Sequence, residues 1–319
     1  MTNLPRYDEL PVRAGLPQGS SWGLWGDDDE LGTINLLTPD RVQRGLQAAR
    51  RGAVFSLNWA LEEPNPPFYG RGALGHRIDR PLDHILDDVL DNFFTQASSQ
   101  WDALCHVGHP EHGFYNGRAD GDFTGEPGTK NGIEHWARRG IVGRGVLLDI
   151  ARHWANTGRE LDGGDHVEFT VADLEEVREA QGVTFETGDI LVLRTGWMSW
   201  YRTASAEVRK DLAEDSLARL KTPGITGGED MVEWLWNQHF SAVAADNPAI
   251  EAWPHKLAVD QYIHFRLLPL LGMPMGEMWF VDELAEDCAN DGVYEFLLTS
   301  APLNILGGVG SPPNALAIK

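Results

Sequence analysis

Cysteine, basic residues and long apolar runs are what this 319-residue sequence has least of. The two cysteines, Cys105 and Cys288, lie far apart without metal-type spacing, which argues against a disulfide framework or a cysteine-rich metal module. With 26 basic against 48 acidic residues the formal charge is −22, and such a surface repels nucleic acid and anionic membranes. No apolar run approaches bilayer length, and Met1 to Arg13 lacks the apolar core of a signal peptide. The expected location is therefore cytoplasmic, with neither a membrane nor nucleic acid as partner. Internal repeats and low-complexity tracts are also missing. The Gly307-Gly308-Val309-Gly310 run lacks the strand-to-helix setting of a phosphate-binding loop.

What remains is an ordinary globular composition, 42% hydrophobic and 23% charged, in a chain long enough for a large core. A single domain over 1–319 is expected, with an N-terminal loop and helix over 1–52 and a core over 53–319. Thr38 and Pro39 open a helix that carries Val42, Leu46 and Ala49 on one face and stops at Gly52. Residues 53–59 alternate like a strand, 62–80 read as a loop rich in proline, glycine and charge, and 81–94 as a strand leading onward. Apolar runs at 145–150, 189–193 and 241–246 predict buried strands. Helices are expected from Thr170 to Ala180, over 204–220, 229–240, 258–271 and 282–288, with strands at 273–281 and 294–298.

The chemistry concentrates at Ser98-Ser99-Gln100-Trp101-Asp102-Ala103-Leu104-Cys105-His106. Here an aspartate that can hold a metal or orient an imidazole stands four residues before a histidine that titrates near neutral pH. In a random Asp-x-x-x-His the aspartate more often caps a turn and the histidine packs in a core. Glu277 is the second anchor, because a carboxylate among Met275, Met278, Trp279 and Phe280 is costly to bury unless paired or bound to metal. Cys105 beside His106 invites a nucleophile reading, against the commoner inert buried thiol. His109, Glu111 and His112 suit either a zinc site or a surface turn around Pro110. Trp22, Trp25, Trp101, Phe68 and Tyr69 either sandwich a flat substrate or pack the core.

The stretch resembles the signature of the cyclase family that includes bacterial kynurenine formamidase and isatin hydrolase, His-x-Gly-Thr-His-x-Asp-x-x-x-His. Asp102 falls on its aspartate, His106 on its last histidine and Ser99 on its threonine, with the whole signature at 96–106. Gln96 and Gln100 stand where the first two histidines would be. The likeness extends through Trp22 to Thr38, Gly188 to Trp197 and Leu284 to Ala317. It implies an α/β fold, the family's swivelling β/β/α arrangement with a strand-rich core flanked by helices, assembled as a homodimer or homotetramer. In metal-dependent members the signature aspartate is joined by a downstream histidine and glutamate. His264 and Glu277 are similar to that pair, so Asp102, His264 and Glu277 are the expected ligands of one divalent ion, manganese or zinc. Glutamine is a much poorer zinc ligand than imidazole, so a site without metal is also compatible.

The resulting expectation is a hydrolase of a cyclic or aryl amide, formamide or lactone, with Asp102 and His106 as catalytic residues and Gln96 and Gln100 against an aromatic or cyclic small molecule. Two alternatives stand beside it: a metal-independent cyclase or lyase using Asp102 and His106, and a non-catalytic small-molecule binding protein on the same fold.

Overall fold

The most continuously apolar stretches of the sequence become the middle of a sheet. A computed structural model describes residues 4–126, 128–255 and 257–319, so the reading of Met1 to Arg13 lies partly outside the described residues. Its strands are β1 (Val54–Ser56), β2 (Gly75–Leu82), β3 (Ile85–Asp91), β4 (Gln100–Asp102), β5 (Ile141–Asp149), β6 (Val167–Phe169) and β7 (Ile190–Arg194). They continue with β8 (Pro223–Ile225), β9 (Ala242–Ala245), β10 (Met275–Glu277), β11 (Glu295–Ser300), β12 (Gly310–Ser311) and β13 (Ala315–Ile318).

Among the described residues, nine of these form one sheet in the order β1-β13-β11-β5-β7-β9-β10-β4-β12. β5, β7, β9 and β10 run parallel, and the strands on either flank pair antiparallel. Val146 to Leu148, Ile190 to Leu193 and Ala242 to Ala245 are fully buried, as strands covered on both faces must be. The mixed α/β sheet flanked by helices agrees with the fold class expected from the sequence. Among the described residues no helix is long and apolar enough to cross a membrane.

The helix Pro39–Ala48 packs on β5 so closely that a Cβ on Gly45 would stand 2.6 Å from the Gly143 carbonyl carbon. It ends short of the expected Gly52 because the chain is drawn into the sheet, where the Arg51 and Ala53 amides both donate to the Lys319 carbonyl. Thr170 caps Val171–Gln181 reciprocally with Asp173, and Gly182 closes that helix at φ 67°.

Three expectations change. The helix expected over 204–220 is two, Ala206–Glu214 and Ser216–Arg219, because Asp215 leaves helical space (φ −148°, ψ 74°) and its carboxylate caps the second. Part of the 62–80 loop is β2, which pairs with β3 as a separate hairpin, since alternating residues without a buried face read as loop. The 258–271 helix reduces to His264–Arg266 followed by a π-helical turn at Leu267–Leu271.

Candidate functional site

β4 and β10 set the site by their register. Gln100 lies opposite Glu277, and Asp102 opposite Met275. The pleat turns Gln100 and Asp102 to one side and Trp101 to the other. Trp101 is therefore not a substrate wall, as one expectation had it. It is buried edge-on against Trp279, with ring centroids 4.7 Å apart, and its Nε1 donates to Ser300 Oγ at 2.9 Å. The strand expected over 273–281 stops at Glu277, where Met278 takes φ 53°. That turn is pinned from three sides: the Met278 amide donates to Asn247 O, its carbonyl accepts the Ser99 hydroxyl, and the Trp279 amide donates to Ala245 O.

His264 enters from the far side. Its Nε2 is 3.1 Å from Glu277 Oε1 and 3.8 Å from Asp102 Oδ2. One ligand atom each of Asp102, His264 and Glu277 lies within 4.8 Å of the others, and all three residues are buried. Gln100 Nε2 donates to Glu277 Oε2 at 2.5 Å. Behind the imidazole stands Glu251, also buried, whose Oε1 is 2.9 Å from His264 Nδ1 and accepts the His264 amide at 3.2 Å. Tyr262 stacks on the ring at 4.5 Å, and His255 stacks on Tyr262 at 4.6 Å.

Acid outweighs base in this cluster. Burial raises Glu277 and the neighbouring Asp102 charge raises it further. Burial acts on Asp102 in the same direction, but His106 and His264 hold it below the ordinary carboxylate range. Burial would depress His264, yet Glu251 and Asp102 lift it well above the usual histidine value. Three buried atoms are left without a hydrogen-bond partner: Asp102 Oδ2, Gln100 Oε1 and Glu251 Oε2. Unpaired carboxylate and carbonyl oxygens around one imidazole form a donor set that fits a divalent cation.

The site opens at His106. Its side chain is 26% exposed, against 1–2% for Asp102 and His264. Gln96 Nε2 donates to His106 Nδ1 at 2.8 Å and lies 3.4 Å from Asp102 Oδ1, which leaves His106 Nε2 facing Asp102 at 3.7 Å. Burial lowers the His106 pKa, although Asp102 opposes it. Arg71 donates to the Gln96 carbonyl, and its charge reaches Asp102, His106 and Glu277. Tyr69 borders the same space; burial and the Glu277 charge raise its pKa.

The other aromatic residues belong to the core. Trp22 is buried and donates to the Pro269 carbonyl at 2.7 Å, and Trp25 packs half-buried on the main core cluster. Phe68 is buried with Trp197 and Tyr201 in a second apolar cluster. Large aromatics carry the same residue letter in a core or a pocket, and here burial decides. Cys105 is buried, and burial pushes its thiol up to about 12, which favours the inert thiol over the nucleophile reading. His109 accepts the Glu111 amide at Nδ1 and stacks on His112, closing a tight turn. Asp102, His264 and Glu277 are the one metal-competent group among the described residues.

The sequence reading missed Glu251, Arg71 and Tyr262. Glu251 carried the signal used for Glu277, an acid in an apolar neighbourhood, between Ile250 and Ala252. Ile250 adopts φ 58°, so each of these two carboxylates adjoins a non-glycine residue in the left-handed region.

The Cyclase family model matches residues 55–252. The chain belongs to the cyclase family. A crystal structure described as a novel cyclase is 38% identical, covering 94% of this chain and 99% of its own, with a TM-score of 0.82. Two further solved structures share the fold at greater distance. Isatin hydrolase A from Labrenzia aggregata, bound to benzyl benzoate, is 17% identical with a TM-score of 0.57, covering 83% of this chain and 93% of its own. An isatin hydrolase bound to the product analogue thioisatinate is 18% identical with a TM-score of 0.57, covering 88% and 98%. No curated protein matches this chain by sequence.

Proposed function

We propose that this cyclase-family protein is a hydrolase of a cyclic or aryl amide, formamide or lactone, with one divalent ion, manganese or zinc, held by Asp102, His264 and Glu277. The observation that carries the reading is the buried triplet within 4.8 Å together with the unpaired Asp102 Oδ2 and Gln100 Oε1. When bound, such an ion polarises a carbonyl and lowers the pKa of water.

The chain's own residues do the rest. Glu251 holds His264 by Nδ1, so that Nε2 points at Glu277 and Asp102. Gln96 fixes the His106 ring, and Arg71 fixes the Gln96 backbone. At neutral pH the depressed His106 is a neutral imidazole at the mouth of the site: Nδ1 accepts from Gln96, so its proton sits on Nε2 toward Asp102, and it takes a proton from the attacking water at Nδ1 only as the Gln96 N–H is released, then passes it to the leaving nitrogen or oxygen. Both glutamine N–H groups are engaged by His106 and Glu277, so the glutamines orient catalytic groups rather than grip the substrate. Tyr69 offers an aromatic edge for a flat ring, and the aromatic molecules held by the isatin hydrolases support a substrate of that class.

Elemental analysis after dialysis against zinc and manganese tests the metal. The expected result is one ion per chain, lost in Asp102→Ala and in Glu277→Ala. Turnover of an aromatic amide, formamide and lactone panel by the loaded protein tests the reaction, and no turnover of any member would reject it.

The bond from Gln100 to Glu277 favours a second reading, a metal-independent proton-transfer enzyme using Asp102 and His106, because it ties up one oxygen of a proposed ligand. Full activity in chelator would select this reading over the first.

A further inference from the structure

Glu251, which holds His264 from behind, is also one wall of a cavity of about 640 Å³ to which the proposed reaction assigns no role. The other walls come from β6 and β8, which pair in parallel, and from the chain that follows Glu251. Ile225 at the end of β8 bridges to Glu251, and the Ala252 amide donates to the Ile225 carbonyl at 3.1 Å. Two glycines let these walls close. A Cβ on Gly224 would stand 2.2 Å from the Glu251 carbonyl carbon, and one on Gly227 would stand 1.8 Å from the Gln261 carbonyl oxygen. The volume suits a small organic molecule rather than a bare ion.

Three polar groups on these walls carry buried atoms without a partner. Glu251 is 1% exposed; its Oε1 meets His264 Nδ1, and its Oε2 has no hydrogen bond. Thr226 Oγ1 and both ring nitrogens of His255 are unpartnered as well. Burial lowers the His255 pKa, so at neutral pH its ring offers an acceptor nitrogen. The metal-competent triplet does not call on Glu251, which stands at Nδ1 of His264 while Asp102 and Glu277 face Nε2. A carboxylate, a hydroxyl and an imidazole acceptor on one cavity match the three N–H groups of a primary ammonium ion. Buried acceptors are costly to leave unpaired, so a donor completes them. The charge agrees. Glu168 and Asp260 line the same cavity and are exposed, while Arg266, buried nearby, donates to the Gly227 carbonyl and forms no salt bridge among the described residues. Ile225, Ala252 and Pro254 supply apolar surface.

We propose that this cavity binds a linear aliphatic diamine. One ammonium group is taken by Glu251 Oε2, Thr226 and His255, the hydrocarbon chain lies on Ile225, Ala252 and Pro254, and the second ammonium meets Glu168 and Asp260. One carboxylate then faces the diamine through Oε2 and His264 through Oε1. Bound diamine draws on the charge that supports His264 and lowers metal affinity, and metal lowers diamine affinity by the same factor. The diamine site stands on the cavity alone; the coupling rests on His264 as a metal ligand.

Calorimetry on the metal-free full chain tests the site with 1,4-diaminobutane, n-butylamine and 1-butanol. The expected result is one diamine per chain, with butylamine weaker by about 3-fold. Butanol, which keeps the chain and loses the charged donor, is expected to be weaker than butylamine by on the order of 100-fold. Asp260→Asn, at an exposed position, is expected to narrow the gap between diamine and butylamine and to leave butylamine binding unchanged. Thr226→Val and Glu251→Gln are expected to weaken both amines by about 10-fold or more. Thr226→Val leaves the bond from Glu251 to His264 in place, so it remains decisive where Glu251→Gln perturbs the fold. Saturating diamine is expected to lower manganese affinity by about 5-fold. Absence of diamine binding, butanol binding as tightly as butylamine, or amine affinity untouched by Thr226→Val would overturn the site. Manganese affinity indifferent to diamine would overturn the coupling. A chain that binds diamine but no manganese would reject the metal reading and uphold the site.

Discussion

Two buried polar clusters lie on the same sheet and treat their charges in opposite ways. At the ends of β5 and β7, Arg194 donates to Asp149 at 2.9 Å, to Asp282 at 2.9 Å and to Ser199 at 3.0 Å. Asp149 also takes the Arg152 amide at 3.0 Å, while Asp246 takes the Thr195 amide and hydroxyl and the Gly196 amide. Each of these groups is partnered, and the surrounding carboxylates raise the Arg194 pKa against the effect of its burial. At β4 and β10, by contrast, Asp102, Glu251 and Glu277 surround one imidazole, and Asp102 Oδ2, Gln100 Oε1 and Glu251 Oε2 have no donor. The first cluster is complete within the chain and holds it together. The second is short of positive charge and is built to receive something.

That contrast can be broken from either side. The largest effect is expected from Asp102→Ala or Glu277→Ala, which remove a proposed ligand: bound metal falls below detection and turnover drops by at least about 10³-fold, while the melting temperature of Asp102→Ala holds or rises because a buried acid with an unpaired oxygen is gone. Metal content and kcat measured on the same samples check this, and metal retained in both variants would sink the assignment. Arg194→Met removes the buried guanidinium shared by Asp149 and Asp282, which keep only Arg152 and Ser199 with Arg202, so stability is expected to fall by about 3 kcal/mol in urea titration while metal binding at native conditions is unchanged. A variant as stable as wild type would remove the distinction between the clusters.

Glu251→Gln sharpens the comparison further. The carboxylate is not itself a proposed ligand but holds the ligand His264 at Nδ1, and its loss is expected to weaken metal affinity by about 10–100-fold in calorimetry, with little change in kcat once the site is saturated. The smallest effect concerns Glu30, a satisfied acid far from either cluster. Burial raises its pKa, but hydrogen bonds from His135, the Asn131 amide and Lys130 outweigh this and take it to about 2 from the usual 4.5. A depressed acid contributes stability that is present above its unfolded pKa and lost as pH falls through the folded one. Melting temperature is therefore expected to drop between pH 4.5 and about 2 in wild type. The drop should be shallower in Glu30→Gln, and parallel curves would show that the hydrogen bonds contribute nothing.

The same contrast explains what the sequence disclosed. Apolar runs announced β5, β7 and β9, since strands buried on both faces have no polar alternation to blur them. Glu277 was legible because an acid in an apolar setting is conspicuous, Asp102 because of its spacing to His106 and its place in the family pattern, and His264 because that pattern calls for a histidine upstream of the glutamate. Glu251 sent the same signal but had no motif to draw attention to it. Phe68, Trp22 and Trp101 read equally as pocket walls or as core and are buried as core, because residue type does not report which face of a strand or loop is covered. The first strand of the hairpin, β2, read as loop for a related reason: its alternation has no buried side within the chain.

The pairing of β4 with β10 places Gln100 against Glu277 and sends Trp101 to the opposite face. The site is thus a matter of parity along the chain. A one-residue slip of β4 against β10 would exchange odd positions for even ones, directing an indole at the acids and burying two polar side chains against Trp279. β4 is three residues long and is held between β10 and β12, so it tolerates no intermediate phase.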